Sequence, residues 1–468
     1  MALVGGVAGA FGADPPEAPP PPGFATRILK VEGDLGSTAG QAHVGFGLEL
    51  GFNALWLTFQ QVGTWGSRGS PRLNDNFVEL ARHGTASGLR LFVEVAPERM
   101  GEAFIYYERD GARRLHKLAR MLRREAGVVD LVLRFSPADR TLTELGDILR
   151  YGRSAAPAHI DLAARLADKL PDPARLWLAP SALPGASTPA DGYVSSFIDA
   201  VGSLPSAVGI VWPGPNRPAR NVGADDLPSL EEELGARAFL LEDGFPANGD
   251  TDGLTYALIL GPLRHRDPAL AVQVEGYVAS PMPRLGGSRL SLITVADYLH
   301  NPRGYHPDDS WEAAILRLAG DDERAHEALR VQADEWGGWI GELNYRTAAT
   351  DHPDGAARIL RDPAASNLFT WTGRRYPERM AALAGLTDRT FRNDLIEVME
   401  FRLAVARAVP LLRRLRELDE TDPRVTAIVE QLSALRAALA DRPTVRQVLD
   451  RFVGASGIPE RIVDELIE

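Results

Sequence analysis

The chain has 468 residues, a net charge of -12, 45% hydrophobic and 24% charged residues, and no cysteine. That length accommodates one large barrel plus a smaller second domain, and the composition is that of a soluble globular chain rather than a largely disordered one. The acidic balance argues against nucleic acid as a partner, since that affinity rests on clustered Lys and Arg; the lack of cysteine removes disulfides, thiolate nucleophiles and cysteine-ligated metal.

The segment Met1 to Ala13 is small and apolar, yet it lacks the positive stretch of a secretory signal and is too short to span a bilayer. A cytoplasmic protein without a membrane span is the expectation. Export is the alternative, because Phe11 to Ala13 faintly resembles a cleavage site. Pro15 to Pro22 cannot form helix or central strand, so residues 1–24 read as a flexible, Pro-rich leader.

From Ala25 to about Ser280, short β-branched or aromatic runs alternate with stretches of helical period. The runs cover 27–32, 53–59, 89–95, 129–135, 175–179, 207–212, 237–243 and 271–279. Eight such units predict an α/β fold, a (β/α)8 TIM barrel over residues 25–320, with function at the C-terminal ends of its strands. After about Gly286 the strand-like runs stop, and residues 321–468 read as an all-helical domain, a bundle. Asn393 to Leu418 carries Leu395, Val398, Met399, Leu403 and Val405 on an amphipathic pattern, and Pro410 predicts a kink or break before Leu411. Another helix should run through Ile428, Leu432, Leu435 and Leu439. This half either packs on the barrel or supplies self-association and partner contacts.

Acidic residues fall at or near predicted strand ends: Glu32, Glu94, Glu242, Asp243 and Glu275. Two carboxylates about 5–5.5 Å or 6.5–9.5 Å apart could run retaining or inverting glycoside hydrolysis. The alternative is that they pair with cations such as Arg134 or accept backbone N–H bonds. Trp56, Trp65 and Trp212 also lie near strand ends, where an indole can stack on a sugar, although core packing suits Trp56 better. The nine histidines, His300 and His306 among them, show no close metal-ligand pair, and neither a metal nor a cofactor is expected. Gly45, Gly47 and Gly51 precede a strand instead of following one, so they read as packing glycines. Neither a GxSxG elbow nor a P-loop occurs.

The stretch Ser288 to Ile315 resembles the segment that closes the barrel in glycoside hydrolase family 84, the O-GlcNAc hydrolase and bacterial β-N-acetylglucosaminidase family. The likeness rests on Thr294 to Tyr298, Asn301, Pro302, Tyr305 and Ser310 to Glu312. Further landmarks in family order are Trp212 to Gly214, then Leu260, Gly261, Pro262 and Arg266, then Ser280, Pro281 and Met282. The resemblance covers roughly Thr26 to Gly320 and implies the same barrel.

It also implies a site, and the site has changed. The family's hydrolysis of β-linked N-acetylglucosamine is assisted by the substrate's own acetamide and needs two adjacent aspartates at the end of the fourth barrel strand. One orients the acetamide, and the other serves as general acid and base. Their positions fall at Ser136 and Pro137, neither of which can shuttle a proton at neutral pH. Asp139 lies close by on a Pro-containing loop. The other pocket-equivalent positions are Gly33 in the first-strand motif, Gln60 for the pocket lysine, Leu183 for a tyrosine, Gly244 and Ser280 for asparagines, and Asp250 for the sugar-binding aspartate.

The resulting expectation is a family-84-like pseudoglycosidase that binds carbohydrate or protein as a scaffolding module. One alternative is an active β-N-acetylglucosaminidase-type hydrolase with relocated acids at Glu242, Asp243 or Glu32. Another is a structural subunit of a larger assembly.

Overall fold

The computed structural model describes residues 23–467 apart from 32–37, 67–69, 87, 101–103, 184–191, 216–218, 247–257, 283, 337–372, 420, 441–445, 447–448, 451–452, 455, 457 and 459. The expected leader therefore lies outside the described residues up to position 22. Phe24, at its end, is fully buried and its backbone N–H donates to Leu299 O at 2.9 Å.

The strands are β1 (Thr26–Lys30), β2 (Ala54–Thr58), β3 (Gly63–Trp65), β4 (Pro71–Leu73), β5 (Arg90–Val95), β6 (Asp130–Arg134), β7 (Arg175–Ala179), β8 (Gly209–Trp212), β9 (Phe239–Pro246) and β10 (Gly276–Ser280). Eight of them close a parallel barrel in the cyclic order β1, β2, β5, β6, β7, β8, β9, β10. The fold is the (β/α)8 barrel with a helical C-terminal region. The antiparallel β3–β4 hairpin was not anticipated, because three-residue strands are too short to show a period.

Alternation along each strand builds two apolar layers. Ile28, Trp56, Phe92, Val132, Trp177, Val211, Leu240 and Val278 fill the barrel interior, while Leu29, Val93, Leu133, Leu178, Ile210 and Leu241 belong to the outer core against the helices. The helix Arg109–Ala126 presents Leu115, Leu118 and Leu122 to that core and stops at Gly127. Gly127 has φ 67° and its N–H returns to Arg123 O, a left-handed cap that a side chain would strain. Of the glycines read as packing residues, Gly47 lies tight against Leu29 and Gly51 against His300, whereas a Cβ at Gly45 would meet nothing, so that glycine is not required by packing.

The N-terminal end of the barrel is plugged by charge. Arg90 holds Asp130 through Nε at 2.6 Å and Nη2 at 2.8 Å, Trp177 Nε1 donates to Asp130 at 2.9 Å, and Arg175 grips Glu275 with Nη2 at 2.7 Å. Glu275 thus sits at the end opposite to the one expected. Leu270–Gln273 turns as a helix, so the last strand begins at Gly276, after Glu275 and not before it.

After the barrel come helices Arg289–His300, Pro307–Ala319, Glu323–Glu335, Tyr376–Leu383, Arg389–Glu417, Arg424–Ala437 and Glu460–Ile467, each packed on the next. Aspartates start two of them: Asp322 accepts from Arg324 N and Ala325 N, and Asp388 from Phe391 N. The chain does not break at Pro410. One 29-residue helix runs through it, with Pro410 itself exposed and Val409 and Leu412 buried on either side. Burial of that face outweighs the missing backbone donor. Ile428 and Leu432 are buried in the following helix as their spacing predicts, and Leu439 falls just beyond its end.

Candidate functional site

The mouth of the barrel is where β1, β5, β6 and β9 end, and inward-pointing side chains from those four strands meet there. Arg134 on β6 reaches across the interior, donating through Nε to Glu94 of β5 at 2.6 Å and through Nη2 to both oxygens of Glu242 on β9 at 2.8 Å. Lys30 on β1 adds a bond to Glu242 at 3.3 Å, and Trp56 Nε1 on β2 donates to Glu94 at 3.0 Å. The Arg134 guanidinium also lies over the Trp56 ring, 5.5 Å from its centre. Two cations and two carboxylates therefore form one neutral, largely buried network. Burial alone would lower the pKa of Arg134, but Glu242 and Glu94 outweigh it and hold the pKa above its ordinary value.

Asp243 turns the other way. Adjacent residues of a strand point to opposite faces, and Asp243 leaves the barrel interior to meet Arg266 at 2.5 and 2.9 Å and the Tyr277 hydroxyl at 2.5 Å. Tyr277 is fully buried, and burial with the Asp243 charge raises its pKa well above the usual value, so it stays a proton donor to Asp243. Glu242 and Asp243 thus do not face each other as a catalytic pair would.

The positions at which the sequence resemblance places the family's aspartate pair come directly after β6. Phe135 stacks on the His159 ring at 3.6 Å, outside the barrel. Ser136 comes next, its Oγ accepting from Ala138 N at 3.2 Å, and Pro137 is exposed on the turn. Of the remaining pocket-equivalent positions, Gln60 is exposed on the helical turn Phe59–Val62, Leu183 is buried, Gly244 is buried within β9, and Ser280 ends β10 with 3% exposure. Glu32, Gly33 and Asp250 lie outside the described residues. Among the tryptophans, Trp56 and Trp212 are buried, and Trp65 packs on Phe59 at 4.7 Å. Among the described residues, no three His, Asp or Glu side chains converge to hold a metal ion, and no helix is long and apolar enough to cross a membrane.

A cleft of about 430 Å³ opens between the loops that follow β5 and β6. It is lined by Glu98, Phe104, Tyr106, Asp139, Asp147 and His159, among others. Glu98 follows β5 by three residues and Asp139 follows β6 by five, so neighbouring strands bring together acids 41 positions apart. No local pattern links them.

The residues that carry the sequence resemblance are structural. Tyr305 OH donates to Leu263 O at 2.6 Å, Tyr298 OH to Asp267 O at 2.8 Å, and Trp311 Nε1 to Leu260 O at 2.7 Å. Thr294 Oγ1 accepts from Leu263 N at 3.0 Å. Together they clamp the loop 258–267 onto the two helices that close the barrel.

Comparison with known proteins bears on the same region. A family profile described as beta-N-acetylglucosaminidase matches residues 61–334, more than half of the chain. A mutant of the Thermobaculum terrenum O-GlcNAc hydrolase is similar in structure, with 20% identity, a TM-score of 0.62, and coverage of 92% of this chain and 94% of that one. The structure of CpGH84B is similar with 14% identity and a TM-score of 0.57, over 95% of this chain and 77% of that one. By the extent of the profile match, with a barrel of the same fold, the chain belongs to the β-N-acetylglucosaminidase family, family 84 of the glycoside hydrolases.

Proposed function

We propose that this chain is a pseudoglycosidase, a family-84 barrel that binds a glycan or a protein without hydrolysing a glycosidic bond. One observation carries the reading: at the end of β6 the chain offers Ser136 and Pro137, which have no carboxylate between them. Acetamide-assisted hydrolysis needs one group to polarise the acetamide and another to give and take a proton. The nearest inward acids, Glu94 and Glu242, are both engaged by the Arg134 guanidinium.

The pattern of change supports the same reading. Residues that clamp the barrel's closing segment match the family, whereas Ser136, Pro137, Gln60, Leu183 and Ser280, where the family's pocket groups would stand, do not. A buried sugar site loses about 1–3 kcal/mol for each polar group left unpaired, so these changes together weaken recognition of N-acetylglucosamine in the family's manner.

The test is turnover of a fluorogenic β-N-acetylglucosaminide by the purified chain, beside the Glu242→Gln/Asp243→Asn and Glu98→Gln/Asp139→Asn double variants. Background turnover is expected from all three. Robust turnover that either double substitution abolishes would identify relocated catalytic acids and sink the proposal.

A further inference from the structure

The cleft between the β5 and β6 loops contains groups that the barrel leaves unpartnered. His159 is fully buried and lines the cleft; its Nδ1 meets the Tyr193 hydroxyl at 2.9 Å, whereas its Nε2 has no hydrogen-bond partner. Asp139 also lines the cleft, and its Oδ2 is buried without a partner. An unpaired buried polar atom is costly, and two that belong to residues lining one cleft mark a place where a ligand would supply the missing bonds.

The charge of the cleft selects the ligand. Glu98, Asp139, Glu144 and Asp147 all line it, and among the described residues no lysine or arginine does. Asp147 is already held by backbone N–H bonds from Tyr106 at 3.0 Å and Tyr107 at 2.8 Å, which leaves Glu98, Asp139 and Glu144 to receive a cation; Glu98 and Asp139 are the pair whose charges act on each other. Burial raises the pKa of both carboxyls, and for Glu98 the Asp139 charge adds to this, so a cation placed between them relieves desolvation and repulsion together. A bare metal ion does not suit the donors, because no three acidic or imidazole groups among the described residues converge on one point. An organic cation suits them better. Phe104 and Tyr106, edge to face at 5.1 Å, give the cleft an aromatic wall, and the Thr141 and Thr143 side chains add hydroxyls.

We propose that this cleft binds a small hydroxylated organic ammonium ion, its cation held by the Glu98 and Asp139 carboxylates and a hydroxyl paired with His159 Nε2. The volume of about 430 Å³ limits the ligand to roughly the size of a monosaccharide. The proposal does not rest on the loss of hydrolysis, since binding here and turnover of a glycoside are read separately.

Isothermal titration of the full chain with glucosamine, with glucose as the neutral comparator and calcium chloride as the inorganic cation, tests it. Glucosamine should bind at least about tenfold more tightly than glucose, the value of one charge-assisted hydrogen bond. Glu98→Gln and Asp139→Asn should each weaken glucosamine about tenfold, with thermal unfolding confirming that both variants are folded. Glu98 lies on the rim, so its variant reports on binding even if the Asp139 variant misfolds. Equal affinity for glucose and glucosamine, glucosamine binding untouched in a folded Glu98→Gln variant, or calcium binding without glucosamine binding would each overturn the proposal.

Discussion

At the scale of single residues, Arg134 governs the barrel mouth. It is the shared partner of Glu94 and Glu242, both nearly inaccessible to solvent, with Lys30 contributing only to the latter. Replacing it by Met keeps the packing volume over Trp56 but strands Glu94 with only an indole N–H. The variant Arg134→Met should therefore lose about 3–5 kcal/mol at pH 7, measured by urea unfolding. The proposed loss of the aspartate pair was legible in the sequence, since it rests on Ser136 and Pro137 following Phe135 and the strand-like run before it. Glu242 and Asp243 both lie within the strand-like run 237–243, so their opposite faces follow from alternation along a strand, as β9 has them. The Glu98 and Asp139 cleft was hidden, because it is assembled across two loops.

At the scale of elements, the strands were legible because each is a short apolar run bounded by turn residues, and seven of the eight barrel strands lie within a few residues of their expected bounds. The eighth starts five residues later than expected, because the apolar residues Leu270 to Val272 serve a helical turn as readily as a strand. That ambiguity sent Glu275 to the wrong end. The helix through Pro410 shows the converse, a local breaker overridden by burial along the element. Its Ala406 carbonyl lacks the donor four residues on, so Pro410→Ala should extend the hydrogen-bond ladder and stabilise the chain by about 1 kcal/mol, read as a raised midpoint in denaturant. In the barrel-closing segment the effect runs the other way. Tyr305→Phe removes the donor to Leu263 O and should cost about 1 kcal/mol, with a local rise in amide exchange in residues 258–267.

At the scale of the whole molecule, the barrel axis is closed at both ends by charge networks, Arg90, Asp130, Arg175 and Glu275 at one and Lys30, Glu94, Arg134 and Glu242 at the other, with buried aromatic residues between them. Outside it, a single apolar core joins the barrel's helices to those of the C-terminal region, so unfolding of one should carry the other. Two histidines buried in that shared core set how the whole chain responds to acid. Burial lowers the pKa of His159 to about 3, and burial with the Arg289 charge lowers that of His43 to about 4, against 6.5 for an unburied histidine. In both cases the unfolded chain binds the proton first. Their contribution is complete above pH 6.5 and is lost as pH falls toward 4 for His43 and toward 3 for His159, at about 1.4 kcal/mol per pH unit for each. Glu98, Asp139 and Asp394 have raised pKa values through burial and oppose this trend as they protonate. Substituting one histidine separates the two contributions. His159→Phe preserves the stack on Phe135 and removes one proton from the linkage, so the slope of unfolding free energy between pH 6.5 and pH 4.5 should fall by about 1.4 kcal/mol per unit, whatever the variant's stability at pH 7. An unchanged slope would mean that His159 is protonated in the folded chain, and the acid sensitivity would then have to come from elsewhere in the core.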